Sequence, residues 1–411
     1  MIGLCYLLSS NRKKIDWWLV LKGTFLQLFF AVFMLKTTVG QVAFSFLDTA
    51  VMKVLGCANA GATFVFSKVL ADSETAGKLF GSEQAFIFAF QALPSIIFLS
   101  SLVALLYHFG LMQKVVYLLG TIMRKTLRIS GAEACSAAAN VFLGHTEAPL
   151  VVRPFLARMT TSELFCVMVG GMATIAGSVL GSYVAMLKDF IPDIAGHLVA
   201  ASVMSAPAAI VFAKIMCPED SQPETMGKFN LKAEKIDANL IDACTRGCSE
   251  GLKLALNVAA MLVGFLSLIA LLNLLWGTLA GYCGWTNCNS IEALFGWIFS
   301  PLALLLGVPM EDMHTAGVLL GEKSILNEFV AYFHFAEELT RETSQMTLRT
   351  RVIISYALCG FSNLGAIGIQ VGAFATMVPN RRAEISRLAF KALIAGSFAS
   401  FSTAIIAGWL V

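Results

Sequence analysis

The sequence predicts an all-α polytopic membrane protein with about eight transmembrane helices, some of them interrupted, arranged as an inverted internal repeat. The first observation is composition: of 411 residues, 57% are apolar and only 13% charged, and the mean hydropathy is +0.77. Soluble domains have roughly 45–50% apolar and about 25% charged residues. The second observation is a series of long apolar windows, and the third is an order of glycines and carboxylates that recurs in both halves.

Seven windows are apolar over roughly the 20 residues that a spanning helix needs. The opening MIGLCYLLSS is predicted to be a shortened first helix, with an interfacial stub as the alternative; no small-residue cleavage site follows it, which disfavours a signal peptide. The seven windows are Trp17–Leu35, Ala85–Tyr107, Leu164–Leu187, Leu198–Met216, Leu254–Leu275, Val352–Val378 and Leu388–Val411.

Gln41–Gly56 is predicted to be an amphipathic helix in the membrane interface, because Phe44, Leu47, Val51 and Val54 fall on one helical face. An ordinary packing helix is the alternative. The Lys and Arg clusters fall on one side of the membrane if the chain starts outside, so that side is predicted to be cytoplasmic. They are Arg12–Lys14, Arg124–Arg128, Arg153–Arg158, Lys228–Lys253 and Arg381–Arg387.

The ten cysteines do not indicate a metal site, and no cofactor is predicted. Most of those considered lie in or beside apolar segments, where a free thiol behaves as a small hydrophobe. Cys283 and Cys288 lie in a predicted external loop, where a disulfide is conceivable.

The two halves share an order of glycines ahead of a carboxylate. Each half is predicted to contain five elements in the same order: a long span, a shorter helix, an interrupted segment with a carboxylate, a glycine-interrupted span and a final span. The loop charges imply that corresponding elements enter from opposite sides, so the repeat is predicted to be inverted. The matched positions are Gly120 with Gly296, Gly131 with Gly307, Gly144 with Gly321, Glu147 with Glu328, and Thr174 with Asn363.

This organisation divides the chain into five parts, with a polar linker between the halves. They are 1–110 (N-terminal spans, interfacial helix and scaffold), 111–217 (first repeat core), 218–243 (cytoplasmic linker), 244–290 (scaffold span) and 291–411 (second repeat core).

Gly144 and Pro149 are predicted to interrupt the helix around Glu147, which frees backbone groups that lipid cannot satisfy. Freed carbonyls can ligate a hard cation such as Na⁺, and an ionised carboxylate in the bilayer needs a wet cavity, a partner or a bound cation. In the counterpart segment, Glu322 and Lys323 are predicted to lie at a re-entrant tip in water.

Inverted repeats with discontinuous helices are typical of secondary transporters. Zinc-protease, nucleophile-elbow and P-loop motifs are absent from the sequence, and nothing in it favours nucleic-acid binding. An intramembrane enzyme that uses Glu147 and Glu328 stays as an alternative.

Several motifs resemble the concentrative nucleoside transporters. The stretch GHTEAP at 144–149 is similar to the family's GQTEAP, and further matches cover essentially the whole chain. They are LVVRPF at 150–155, NEFVAY at 327–332, ALCGFSNLG at 357–365, SSNRKK at 9–14 and ALIAG at 392–396.

This resemblance implies a homotrimer in the bacterial inner membrane, each protomer having a scaffold and a mobile transport domain built from two re-entrant hairpins and two broken helices. It implies sodium rather than proton coupling, because proton-coupled relatives tend to lack an amide at position 140. The implied sodium ligands are the side chains of Asn140 and Thr174 and the carbonyls of Leu143 and Ile175.

The resemblance also implies the nucleoside site: His145, Thr146 and Glu147 at the base with Val179 nearby, Glu328 and Asn363 at the ribose hydroxyls, and Phe361 lining the pocket. His145 stands where the family usually has Gln, and Ala366 where several relatives have Ser, which leaves the base preference open. The predicted function is sodium-driven import of nucleosides such as uridine by alternating access. Proton coupling, or another small polar metabolite, is the alternative within transport.

Overall fold

The computed structural model describes residues 1–81, 86–226, 237–283, 290–341 and 346–411, which form helices joined by short connections, with no strand among them. The side chains of Cys283 and Cys288 lie outside this description. The α-helices are α1 (Ile2–Leu7), α2 (Trp17–Lys36), α3 (Thr38–Ala71), α4 (Ser73–Phe80), α5 (Phe88–Gln91), α6 (Leu93–His108), α7 (Leu111–Leu127), α8 (Gly131–Ala139), α9 (Ala148–Val151), α10 (Arg153–Leu156), α11 (Thr161–Ala173), α12 (Gly177–Leu187), α13 (Ile194–Met216), α14 (Leu240–Cys283), α15 (Ile291–Leu306), α16 (Met313–Ile325), α17 (Glu328–Thr340), α18 (Leu348–Leu358), α19 (Leu364–Met377) and α20 (Arg382–Leu410).

Within the described residues, seven helical stretches are long and apolar enough to span a membrane. Six of them coincide with predicted windows. The window Val352–Val378 is not among these stretches, because the structure divides it into the short helices α18 and α19; the stretch over Leu164–Leu187 is also divided, into α11 and α12. The seventh stretch is Thr38–Phe80, so the helix predicted at Gln41–Gly56 is much longer than expected, because the apolar sequence continues beyond Gly56.

The buried helices form the centre of the described structure, whereas α3 and α14 expose most of their surface. Helices α11, α13, α18 and α20 pack on one another. Glycines allow this close approach: a Cβ at Gly396 would lie 2.5 Å from Met172 Cβ, and one at Gly408 would lie 2.2 Å from Ile353 Cγ1. Small residues at helix contacts are the usual device of membrane helix packing.

The two halves follow the same order of elements. Helix α7 packs on α8 with Gly120 against Cys135, and α15 packs on α16 with Gly296 against the ring of His314. An interrupted helix follows in each half: α11 and α12 in the first, α18 and α19 in the second. Gly144 and Gly321 differ in their surroundings, since Gly144 lies in the interruption after α8, whereas Gly321 lies inside α16.

A buried ion-pair network lies beside α8 and α13. The ammonium of Lys214 on α13 pairs with Glu133 on α8, lies 3.1 Å from Glu219, and donates to Ser162 Oγ at 3.0 Å. Thr225 in the start of the linker accepts from the backbone N–H of Gly131 at 3.0 Å. These contacts join α8, α11, α13 and the beginning of the linker.

Candidate functional site

Four helix interruptions lie at the centre of the described structure, and polar side chains start the helices that follow two of them. Asn327 Oδ1 accepts from the Val330 N–H at 2.9 Å and begins α17, while Asn363 Oδ1 accepts from the Ala366 N–H at 2.8 Å and begins α19. Each side chain satisfies a helix N–H that would otherwise lack a partner. The amide of Asn363 therefore serves both as a helix cap and, through its Nδ2, as a donor into the site.

The first two interruptions, 140–147 and 174–176, contact each other. The Gly177 N–H donates to the Phe142 carbonyl at 2.8 Å. A Cβ at Gly177 would lie 3.0 Å from that same oxygen, so the close approach favours glycine. The contact joins the segment that contains the predicted sodium ligands Asn140 and Leu143 to the segment that contains Thr174 and Ile175.

Those four residues are Asn140, Leu143, Thr174 and Ile175, and each is 6% exposed or less. Asn140 donates through Nδ2 to the Ser136 carbonyl at 3.0 Å, which leaves its buried Oδ1 without a partner in the described residues. Thr174 Oγ1 donates to the Gly170 carbonyl at 3.1 Å and keeps its lone pairs.

The Leu143 and Ile175 carbonyls also accept no hydrogen bond from the residues described. Oxygen atoms without hydrogen-bond donors are the ligand type that a hard cation needs. The donor set therefore fits Na⁺.

A second polar cluster centres on Glu328, which is 4% exposed. Tyr183 on α12 donates its hydroxyl to Glu328 Oε1 at 3.1 Å, and Asn363 Nδ2 donates to Oε2 at 3.0 Å. Tyr183 also stacks on Tyr332 with ring centroids 4.2 Å apart. Both carboxylate oxygens thus face neutral donors at the meeting point of α12, α17 and α19.

Phe361 connects the two regions. Its N–H donates to the Thr174 carbonyl at 3.2 Å, and its ring contacts the His145 ring edge-on at 4.9 Å between centroids. His145 Nε2 is buried and has no partner among the described residues. A Cβ at Gly171 would lie 2.7 Å from His145 Cβ and 3.0 Å from His145 Cα, so α11 packs directly against the start of the His145 side chain.

The remaining predicted site residues, Val179, Thr146 and Glu147, are less closely grouped. Val179 is 2% exposed and lies one helical turn before Tyr183 on α12. Thr146 is partly exposed and Glu147 is exposed, and in the described residues no hydrogen bond joins either side chain to the Glu328 cluster. Glu147 instead experiences the charges of Arg246 and Glu250 on α14.

The prediction that Glu322 and Lys323 lie in water is wrong: they are 1% and 0% exposed. The sequence placed them at a hairpin tip, but the turn falls later, at Leu326 and Asn327, and α16 packs on neighbouring helices along its length. Glu322 Oε1 instead lies 2.8 Å from His334 Nδ1.

Tyr183 was missed by the sequence analysis. The signal that could have found it is a phenol in an apolar helix, because a buried hydroxyl usually finds a hydrogen-bond partner.

Comparison with protein families gives three matches that cover most of the chain. Residues 1–69 match the family described as "Na+ dependent nucleoside transporter N-terminus", and residues 197–408 match the corresponding C-terminus. Residues 89–190 match "Gate: Nucleoside recognition".

Individual relatives agree with these matches. A Haemophilus influenzae protein described as an uncharacterized transporter is 42% identical over 420 residues, covering 100% of this chain and 95% of its own length. Solute carrier family 28 member 3 of Rattus norvegicus is 38% identical over 424 residues, covering 100% of this chain and 57% of its own length. Among solved structures, CNTnw in an inward-facing substrate-bound state is 40% identical, with a TM-score of 0.92 over 100% of this chain and 95% of that one.

Proposed function

Because the chain belongs to the Na⁺-dependent nucleoside transporter family, we propose that it is a secondary active symporter that imports nucleosides such as uridine with sodium. The family consists of transporters, so the chain is not an enzyme and the alternative of an intramembrane enzyme is set aside. We also propose that the chain forms a homotrimer in the bacterial inner membrane and that its transport domain makes an elevator-like movement.

One observation supports the proposed coupling between ion binding and substrate binding. It is the hydrogen bond from the Phe361 N–H to the Thr174 carbonyl. Thr174 belongs to the proposed sodium ligands and Phe361 to the proposed nucleoside pocket. An ion that orders residues 174–176 would therefore also order the backbone of Phe361. A first ligand that removes the cost of ordering a site raises affinity for the second.

The roles at the pocket follow from donor and acceptor chemistry. Ionised Glu328 accepts hydrogen bonds from ribose hydroxyls, while Asn363 fixes the carboxylate and offers its remaining amide hydrogen. His145, next to Phe361, supplies one donor and one acceptor for the base when neutral. A site that pairs a substrate hydroxyl rejects analogues that lack it, because its own polar groups would stay unpaired.

Sodium is preferred over protons as the driving ion because the unpartnered Asn140 Oδ1 is an acceptor that a cation can use and that carries no titratable proton. The test is uptake of labelled uridine into proteoliposomes, with an inward Na⁺ gradient compared with choline at equal pH. Accumulation of intact uridine only with Na⁺ is expected. Uptake that follows a proton gradient instead would overturn the sodium assignment, and failure to take up any nucleoside would overturn the proposed function.

A further inference from the structure

The beginning of the linker, residues 218–226, contacts the first residues of two buried helices, and we call this segment the linker clasp. Its Thr225 is 5% exposed and accepts two hydrogen bonds from the first turn of α8. The Gly131 N–H donates to the Thr225 carbonyl at 3.0 Å, and the Ala132 N–H donates to Thr225 Oγ1 at 3.2 Å. The first N–H groups of a helix have no partner within it. Thr225 therefore caps α8 from a distant position in the chain.

The linker clasp also contacts the start of α11. Glu219 Oε2 accepts from the hydroxyl of Thr160, the residue that caps α11, at 3.0 Å. The same carboxylate lies 3.1 Å from the ammonium of Lys214 near the end of α13. Immediately before the clasp, the Cys217 carbonyl accepts from Ser162 Oγ on α11 at 2.6 Å. One short segment thus attaches to the N-terminal ends of both α8 and α11.

The opposite ends of these two helices carry the proposed side-chain ligands of sodium. Asn140 directly follows α8, and Thr174 directly follows α11. At a rise of about 1.5 Å per residue, helices of 9 and 13 residues are about 14 and about 20 Å long. Both are buried along almost their whole length and pack on each other. Close-packed interiors transmit strain, so a displacement at the linker clasp also moves the ends that carry the ligands.

We propose that Thr225 is a positioning residue for the sodium site. Together with Glu219 it fixes the N-terminal ends of α8 and α11 relative to each other. This arrangement keeps the side-chain oxygens of Asn140 and Thr174 at the spacing that one Na⁺ requires, since a binding site needs its groups within about 0.5 Å of the productive geometry. The inference rests on the proposed sodium site at these two residues.

The first experiment measures sodium binding without nucleoside, as the rise in Tm when Na⁺ replaces choline. Thr225→Val removes the acceptor for the Ala132 N–H but keeps the backbone contact with Gly131. The sodium concentration that produces a given rise should increase about fivefold to tenfold. Thr225→Ser keeps the hydroxyl and should match the wild type. Thr245→Val is the control, because it removes an exposed hydroxyl that donates within α14, and it should leave the sodium response unchanged.

A purely structural role of Thr225 gives a different result. It would lower the Tm of Thr225→Val in choline while the sodium response stays that of the wild type, and this outcome would overturn the positioning role. Glu219→Ala acts on the start of α11 and should weaken the sodium response in the same direction, which keeps the test available if Thr225→Val does not fold. A wild-type response in Glu219→Ala would also contradict the proposal.

The wild-type protein provides a test that needs no variant. Coupling between two sites is reciprocal, so sodium must stabilise the linker clasp if the clasp stabilises the sodium site. Hydrogen–deuterium exchange at the amides of Gly131 and Ala132 should therefore slow by about fivefold or more in Na⁺ compared with choline. Unchanged exchange in a protein whose Tm rises with Na⁺ would overturn the clasp role and leave the proposed sodium site intact. A Tm and a uridine uptake that both ignore Na⁺ would overturn the sodium site itself, and the clasp role with it.

Discussion

The Phe361 N–H and the Thr174 carbonyl lie 3.2 Å apart in a hydrogen bond that joins the interruptions of two helices from opposite halves of the chain. A different kind of polar group lies on each side of this bond. Asn140 presents a buried oxygen without a partner in the described residues, and Glu328 presents a carboxylate held by Tyr183 and Asn363.

Asn140→Ser should weaken sodium binding without changing uridine affinity at saturating sodium. The shorter side chain withdraws one oxygen ligand, and a loss of about 1.4 kcal/mol raises the half-saturating sodium concentration roughly tenfold. Sodium titrations of uridine uptake measure this change. Asn239→Ser is the matched control, because Asn239 caps the start of α14, a function that Ser also performs. An unchanged sodium titration in Asn140→Ser would contradict the assigned ligand.

Glu328→Gln should abolish measurable uptake while the protein stays folded. The substitution keeps the shape but removes the charge, and hydrogen bonds to charged groups contribute about 1.5–3 kcal/mol each. Uridine binding by calorimetry and size-exclusion chromatography separate lost recognition from unfolding. Tyr183→Phe removes one neutral donor and should weaken binding only a few-fold. Transport by Glu328→Gln at wild-type rates would remove the proposed ribose site.

Glu147→Gln tests the exposed carboxylate, which no described hydrogen bond joins to the Glu328 cluster. If Glu147 reaches the nucleoside as the family resemblance implies, uptake should fall to background while the assembly remains intact on size exclusion. Uptake by Glu147→Gln comparable to the wild type, alongside loss in Glu328→Gln, would restrict the substrate site to the buried cluster.

Gly171→Ala should impair nucleoside binding because the new Cβ would lie 2.7 Å from His145 Cβ and 3.0 Å from its Cα. Either α11 or the backbone at His145 must then shift, which displaces the His145 side chain, and overpacking of this kind costs about 1–3 kcal/mol. Binding assays with several nucleosides measure the effect. Gly368→Ala in α19 is the control, since nothing lies within 4 Å of its added Cβ. Equal affinities in the two variants would show that the packing of α11 on His145 is not needed for binding.

Lys214→Met should destabilise the protein by about 3–5 kcal/mol, because it leaves the buried carboxylate of Glu133 without its cation. Thermal unfolding in detergent measures this as a lower Tm. Arg158→Ala breaks the exposed pair with Glu224, which contributes at most about 1 kcal/mol, and should change Tm little. Similar Tm values for the two variants would argue against the network as a stabilising element.

Much of the candidate site could be predicted because the interruptions have local causes. Gly144 lies in the break after α8, Pro149 lies in the first turn of α9, and Asn363 starts α19 through its side-chain oxygen. The site residues themselves came from the family resemblance, and among them Glu328 and Asn363 are joined directly by a hydrogen bond. Tyr183 could not be placed in the same way, because its contact with Glu328 joins residues that are 145 positions apart.

The sequence by itself determined the membrane class, six of the seven long apolar stretches and the interruptions near Gly144 and Asn363, since hydropathy and the properties of Gly, Pro and Asn act over a few residues. Only the tertiary structure decided which polar groups are buried and with which partners. The charges of Lys323 and Glu322 predicted that both side chains face water, yet both are buried. Burial depends on helices that are distant in sequence. The partners of the buried polar groups, such as Ser400 for Lys323 and His334 for Glu322, are not apparent from the sequence pattern alone.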